Sequence, residues 1–193
     1  MTNYAETLLY KKVTELTDIS SPDLLKLFEI ANKRQVPKGE IILKQEQVCK
    51  TILFVEKGYV RTFIDKDGTT INTDFTFEGH FTTNLKSLRA GSPSDSSIKT
   101  CETTVIYEFD KDKLLALYQV SAQIESFGRK LLEQLLIAQE EHIHLFKVYS
   151  PTERYRYLQT NNPEMLQRVS LSQLASYLGI ARETLSRIRK NKA

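Results

Sequence analysis

The spacing of hydrophobic positions along the chain changes period twice, and each change marks a new kind of element. Over Ala5 to Val13 and Pro22 to Phe28, apolar residues (Leu8, Leu9, Val13; Leu24, Leu25, Leu27, Phe28) recur at helical intervals, with Ser21-Pro22 as a start signal for the second segment. From Lys33 the texture turns to short β-branched and aromatic runs: Ile41 to Leu43, Ile52 to Val55, Val60 to Ile64, Thr70 to Phe77, Ile98 to Thr100 and Thr104 to Phe109. Cut as they are by Val36-Pro37-Lys38-Gly39-Glu40, Lys57-Gly58 and Asp65-Lys66-Asp67-Gly68, these runs predict a β-sandwich or jelly-roll barrel. Only Phe77 to Ser97, rich in Ser, Thr, Gly and Asn, is less regular.

Beyond Asp110 the period is helical again. Between Val120 and about Tyr149 there is no Pro and a single Gly; Ile124, Phe127, Leu131, Leu135, Ala138, His142, Leu145 and Tyr149 step along by three or four, and Leu132 and Leu136 widen the stripe. One reading is a helix buried in its own domain. A face this wide exceeds what one neighbour needs, however, so the favoured expectation is a helix packed on its β-domain on one side and on a two-fold mate on the other. That places Ile124, Phe127, Leu131, Leu135, Ala138, His142 and Leu145 at a dimer interface. Ser150-Pro151 ends the helix, Thr152 to Tyr155 opens another toward Leu158, and Asn161-Asn162-Pro163 makes the next break.

The last periodic stretch has its own punctuation. Ser170 can cap a helix from Leu171 to Leu178 in which Leu171, Leu174, Ala175 and Leu178 share one face. Gly179 supplies a turn that needs positive φ, Ile180 follows as an apolar plug, and a second helix from Arg182 to Lys190 buries Leu185 and Ile188. Its outer side keeps Arg182, Glu183, Thr184, Ser186, Arg187, Arg189 and Lys190, the candidate DNA-contacting residues. Arginine can hold guanine O6 and N7 with two hydrogen bonds, and glutamate can accept from the cytosine amino group, so this face suits a major-groove edge. The plainer reading is an ordinary helical hairpin with a solvated basic face.

Charge favours the first reading. Residues 150–193 hold eight Lys/Arg (Arg154, Arg156, Arg168, Arg182, Arg187, Arg189, Lys190, Lys192) and three acids, a net of +5, while the whole chain is +3. Cations gathered on the segment that carries the helix pair are the footprint of phosphate binding. The 193 residues are 40% apolar, which excludes disorder, and lack both an apolar run long enough for a membrane span and a signal-peptide start; a cytoplasmic location is expected. Cys49 and Cys101 fit buried structural thiols. No metal site is expected, since His142 and His144 point to different sides of a helix and His80 stands alone in the β-region.

A helical lead-in, β-roll, long helix and C-terminal helix-turn-helix together resemble the Crp/Fnr family of transcription regulators over nearly the whole chain. The most specific part is Leu178-Gly179-Ile180-Ala181-Arg182-Glu183-Thr184-Leu185-Ser186-Arg187, similar to that family's recognition-helix motif; the resemblance implies base-reading roles for Arg182, Glu183 and Arg187. Val36 to Glu40 and Leu53 to Arg61 similarly resemble the family's early strands. The implied fold is α+β: a β-roll (double-stranded β-helix or jelly roll) with flanking helices over 1–118, a long dimerisation helix over 119–149, and a small helix-turn-helix domain over 150–193, ending at Ala193 without the β-wing usual in the family.

The resemblance is weaker at the ligand pocket. Cyclic-nucleotide binders of the family carry Gly-Glu-Leu or Gly-Glu-Phe at the start of a phosphate cassette and Arg-Ser or Arg-Ala near its end. Here the corresponding places read Gly79-His80-Phe81 and Ser94-Asp95-Ser96-Ser97. Neither the ribose-holding Glu nor the phosphate-pairing Arg is present, so cyclic AMP is not expected as the effector. Two alternatives stay open: a pocket filled by its own side chains, or a different small ligand held among Gly79, His80, Phe81, Asn84, Ser94, Ser96 and Ser97. The expectation is therefore a non-enzymatic homodimer that binds double-stranded DNA, with RNA polymerase as a further candidate partner and no membrane association. The rival readings are a cupin-like metal or enzymatic barrel and a DNA-independent interaction module.

Overall fold

The computed structural model describes residues 4–190; Lys192, counted in the basic tail, lies outside them. Two helices lead in. α1 (Leu8–Leu16) begins where the Tyr10 N–H donates to Thr7 Oγ1, and Glu56 of the β-domain accepts from the amides of Leu8 and Leu9 at 2.8 and 3.1 Å. A carboxylate against the free amides of a first turn satisfies donors the helix cannot use and ties α1 to the β-domain. α2 (Ser21–Ile30) is capped by Ser20 and has Pro22 in its first turn.

Among the described residues eight strands follow: β1 (Ala31–Val36), β2 (Ile41–Leu43), β3 (Thr51–Lys57), β4 (Val60–Lys66), β5 (Thr69–Thr76), β6 (Phe81–Thr82), β7 (Ser97–Thr100) and β8 (Thr104–Asp110). They form two antiparallel four-stranded sheets, ordered β1-β8-β3-β6 and β2-β7-β4-β5. This is the predicted β-roll. Leu53, Phe54, Val60, Phe81, Ile98, Ile106 and Phe109 belong to one buried core, in which the Phe54 and Phe81 rings lie 4.8 Å apart. Strand β1 lacked a periodic signal because it is an edge strand of polar residues. Its register against β8, from Ala31 opposite Phe109 to Val36 opposite Thr104, comes from backbone pairing. The stretch without clear period contains β6 and a short helix, α3 (Leu85–Ala90), capped by Asn84.

After α4 (Lys111–Tyr118), α5 (Ala122–Val148) runs as one helix of 27 residues, with Ser121 as its N-cap. The expected dimer face needs correction here. Ile124, Phe127 and Leu131 belong to the β-roll core, Leu135 packs against it, and Leu145 is buried within this same chain. The residues that continue the stripe outward are different ones. Leu132, Leu136 and Ile143 are 47%, 71% and 44% exposed, whereas Leu131 is 3% exposed. One position along a helix is about 100° around it, so a wide apolar stripe holds two faces, and the β-roll has taken the one centred on Leu131. Ala138 is exposed, while His142 is half-buried with its ring 4.7 Å from Phe146 and 5.7 Å from Tyr177.

α6 (Pro151–Asn161), α7 (Pro163–Arg168), α8 (Leu171–Leu178) and α9 (Arg182–Lys190) complete the chain. α6 opens with a capping box, in which Ser150 Oγ accepts from the Glu153 N–H and Glu153 accepts from the Ser150 N–H. Tyr155, Leu158, Met165, Val169, Leu174, Ala175, Leu178 and Leu185 form the core of this unit, and Tyr59 and Phe75 of the β-roll are part of the same cluster. The two units therefore share buried surface along the β4–β5 hairpin.

Candidate nucleic-acid interface

The helix pair forms as its residues dictate. The Gln173 N–H donates to Ser170 Oγ at the start of α8. Gly179 closes it in the left-handed region, φ 68° and ψ 33°, where a side chain would be strained, and the Ile180 N–H reaches back 3.0 Å to the Ala175 carbonyl. Leu174, Ala175, Leu178 and Leu185 are buried where α8 and α9 cross, and Ile180 and Ile188 pack at the margin.

That packing fixes which side of α9 faces out. Arg182, Glu183, Arg187, Arg189 and Lys190 are exposed, and Thr184 and Ser186 are half-buried beside them. A local contact lies on this surface, Arg187 Nη2 donating to Thr184 Oγ1 at 3.4 Å. The sequence-predicted reading residues are thus together on one open face, with two arginines at the first and sixth positions of the helix and a carboxylate between them.

The basic tail, by contrast, is not uniformly available. Arg154 donates from Nε to the Tyr149 carbonyl, from Nη1 to the Leu178 carbonyl and from Nη2 to the Phe146 carbonyl, and its guanidinium lies 4.7 Å from the Phe146 ring centre. It joins the C-terminal ends of α5 and α8, where carbonyls lack helical partners. Arg168 is held by three carboxylates: Glu78, Glu102 and Glu164. Both are counted in the net charge of the basic tail. Their roles depend on partners as far as 90 residues away in the chain, and no local signal marks them.

The candidate ligand residues of the β-roll are largely engaged with one another. Asn84 Oδ1 accepts from the Ser87 N–H, and Asn84 Nδ2 donates to Asp95 and to Ser96 Oγ at 2.7 and 3.0 Å. Ser94 Oγ donates to the Ser96 carbonyl, and Ser97 Oγ accepts from the Gln45 N–H. Phe81 is in the core rather than on a pocket wall, 6.0 Å from Phe127. His80 is exposed, its Nδ1 2.9 Å from the Glu78 carbonyl, and the Gly79 N–H donates to Val55. Among the described residues no group of three or more His, Cys, Asp or Glu is placed to hold a metal ion, and no helix is long and apolar enough to cross a membrane.

Residues 33–121 match the family profile of the cyclic nucleotide-binding domain. No curated protein sequence matches the chain significantly. Solved structures share its fold across most of its length. The c-di-GMP-responsive global regulator CLP of Xanthomonas campestris is 18% identical with a TM-score of 0.65, over 89% of this chain and 91% of its own. FixK2 of Bradyrhizobium japonicum is 21% identical with a TM-score of 0.66, over 84% of each chain. A protein of Eubacterium rectale described as a transcriptional regulator of the Crp/Fnr family is 18% identical with a TM-score of 0.68, over 90% of this chain and 83% of its own.

Proposed function

We propose that this chain, which carries a cyclic nucleotide-binding-type β-roll within the fold of the Crp/Fnr-type regulators, is a homodimeric regulator that binds double-stranded DNA sequence-specifically through α9. The observation that carries this reading is the face of Arg182, Glu183 and Arg187, exposed on the second helix of a helix-turn-helix. Among the described residues no carboxylate pairs with Arg182 or Arg187, which leaves each guanidinium its capacity for a base edge, and a carboxylate between two such groups suits a cytosine amino donor. The dimer would close through Leu132, Leu136 and Ile143 of α5, which lie on one stripe left open to solvent. Its effector, where there is one, is a small molecule other than cyclic AMP, because the cassette positions hold His80 and Asp95 in place of an anion-pairing set. RNA polymerase is a further partner in this reading.

Selection of bound sequences from a random DNA pool tests the proposal. The wild-type protein should enrich a two-fold symmetric site. Arg182→Ala or Arg187→Ala should lose about 1–3 kcal/mol on that site and relax preference at one base pair per half-site. An unchanged consensus in both variants would show that α9 does not read bases.

A further inference from the structure

Arg168 ends α7, two residues before the cap of α8, and its side chain leaves the helical unit for the β-roll. Nη1 and Nη2 grip Glu78 as a fork at 2.8 and 3.0 Å, and Nη2 also meets Glu102 at 2.6 Å, while Glu164 closes the set from the preceding turn of α7. The guanidinium lies 5.0 Å from the ring centre of Tyr59 and 5.2 Å from that of Phe77, and these two rings stack on each other at 4.9 Å. The backbone is held as well, since Tyr59 Oη donates to the Arg168 carbonyl at 3.0 Å. Edges on carboxylates and face on aromatics is the full recognition geometry of a guanidinium, and a lysine could not reproduce it.

A second row of contacts runs parallel to the first. The Asn72 N–H donates to Ser176 Oγ, Asn72 Nδ2 donates to the Gln173 carbonyl, and Ser176 Oγ donates to the Thr70 carbonyl. The β4–β5 hairpin is thereby fastened along α8, while Arg182, Glu183 and Arg187 of α9 remain exposed. Glu78 itself is anchored by the Gly58 N–H at 2.6 Å, and a Cβ on Gly58, whose φ is 84°, would lie 2.9 Å from the Thr103 carbonyl oxygen. Moreover, Glu78 immediately precedes Gly79 and His80. The turn that holds Arg168 is therefore continuous with the start of the candidate effector segment.

We propose that Arg168 is a positioning residue. Through it the Glu78-Gly79-His80 turn fixes the orientation of the helix-turn-helix on the β-roll, and so the spacing of the two recognition helices in the dimer. The latch leaves α9 uncovered, so it acts as a brace that favours operator binding and does not mask the reading face. A braced pair of helices engages its second half-site as an intramolecular event; a loosened pair loses that effective concentration. The inference rests on the DNA-binding reading above.

Charge separates this idea from simple electrostatics. Glu78→Gln with Glu102→Gln makes the protein more positive, which by long-range attraction alone would tighten binding to all DNA. A brace predicts the opposite on the selected site: a loss of about tenfold or more in operator affinity for that double variant and for Arg168→Ala, with short non-operator duplexes affected much less. Hydrogen exchange on the free protein supplies a readout that needs no DNA. In both variants the amides of Asn72 and of Gln173 to Tyr177 should exchange faster, while those of β3 and β8 keep wild-type protection. Unchanged or increased operator affinity in the carboxylate variant, or unchanged exchange at Asn72 and α8, would overturn the proposal. If the wild-type protein selects no sequence, the functional reading fails, and the brace then stands or falls on the exchange result.

Discussion

At the residue scale, the guanidinium groups divide by what they meet. Arg182 and Arg187 face solvent, Arg154 meets three carbonyls, and Arg168 meets three carboxylates, although all four lie within 34 positions of one another and contribute alike to the net charge of the tail. The acid behaviour of the last group follows from Glu78. Burial pushes its carboxyl up, but the Arg168 fork, its own backbone and the Gly58 N–H outweigh this and hold it below the ordinary value of 4.5. A depressed carboxylate stabilises the folded state fully above its unfolded value and loses that contribution as pH falls through the folded one. The charge that meets it is Arg168 from α7, and around that guanidinium stand Glu164, Glu102 and the Tyr59 ring. The melting temperature of wild-type protein should therefore fall more steeply below pH 4.5 than that of Glu78→Gln, with the variant already lower at neutral pH; parallel curves would mean the fork contributes nothing to stability. On α9, Lys190→Ala should weaken all sequences alike and flatten the salt dependence, because it lies in the last turn of the helix, and the far end of a helix docked in the major groove would meet phosphates. Glu183→Ala should change which base is preferred more than it changes affinity.

At the element scale, α5 carries two apolar faces, of which the β-roll covers one. Leu131 sits in the β-roll core and Leu136 on the open stripe, five positions along the same helix. A charge placed at each should act differently. Leu136→Glu leaves the core intact and should give a folded monomer with weakened operator affinity, read by sedimentation and circular dichroism. Leu131→Glu buries an unpaired carboxylate and should cost upwards of about 4 kcal/mol, so that loss of the dimer would come with loss of the fold. A dimeric Leu136→Glu protein would place the two-fold contact elsewhere. Substitution at Leu131 or Leu135 cannot test the dimer cleanly, since both pack within their own chain.

At the scale of the whole molecule, the α8–α9 helix pair is part of a body that includes the β4–β5 hairpin. Tyr59 and Phe75 from the β-roll share a buried cluster with Leu174, Tyr177 and Leu178, and Tyr177 also meets His142 of α5. A small molecule that altered the Glu78-Gly79-His80 turn would therefore act on a contact already made. Cyclic AMP should not be that molecule. Calorimetry is expected to give no micromolar binding, since a missing partner for a buried charge costs about 3–5 kcal/mol; micromolar affinity with a matching gain in operator affinity would refute the reading of the cassette.

What the sequence determined by itself are the properties set by neighbours in the chain. The helical period of 120–149, the short β-runs with their glycine turns, and the Ser170 cap, Gly179 turn and arginine-bearing face of 182–190 are all local, and backbone geometry alone converts them into elements. The identity of the open face of α9 belongs here too, because the apolar residues of one short helix choose its buried side and leave the remainder outside. Tertiary structure decided which face of α5 stays open, which cations are already paired, and which polar residues of the candidate pocket are engaged with each other. β1, with only Val36 buried, acquired its place from β8, and Arg168 acquired its role from Glu78, 90 positions earlier. The reason is physical: periodicity states how much apolar surface must be covered and charge states how many partners are needed, but neither names the neighbour. That choice is made when the sheets close and the helices find the faces left to them.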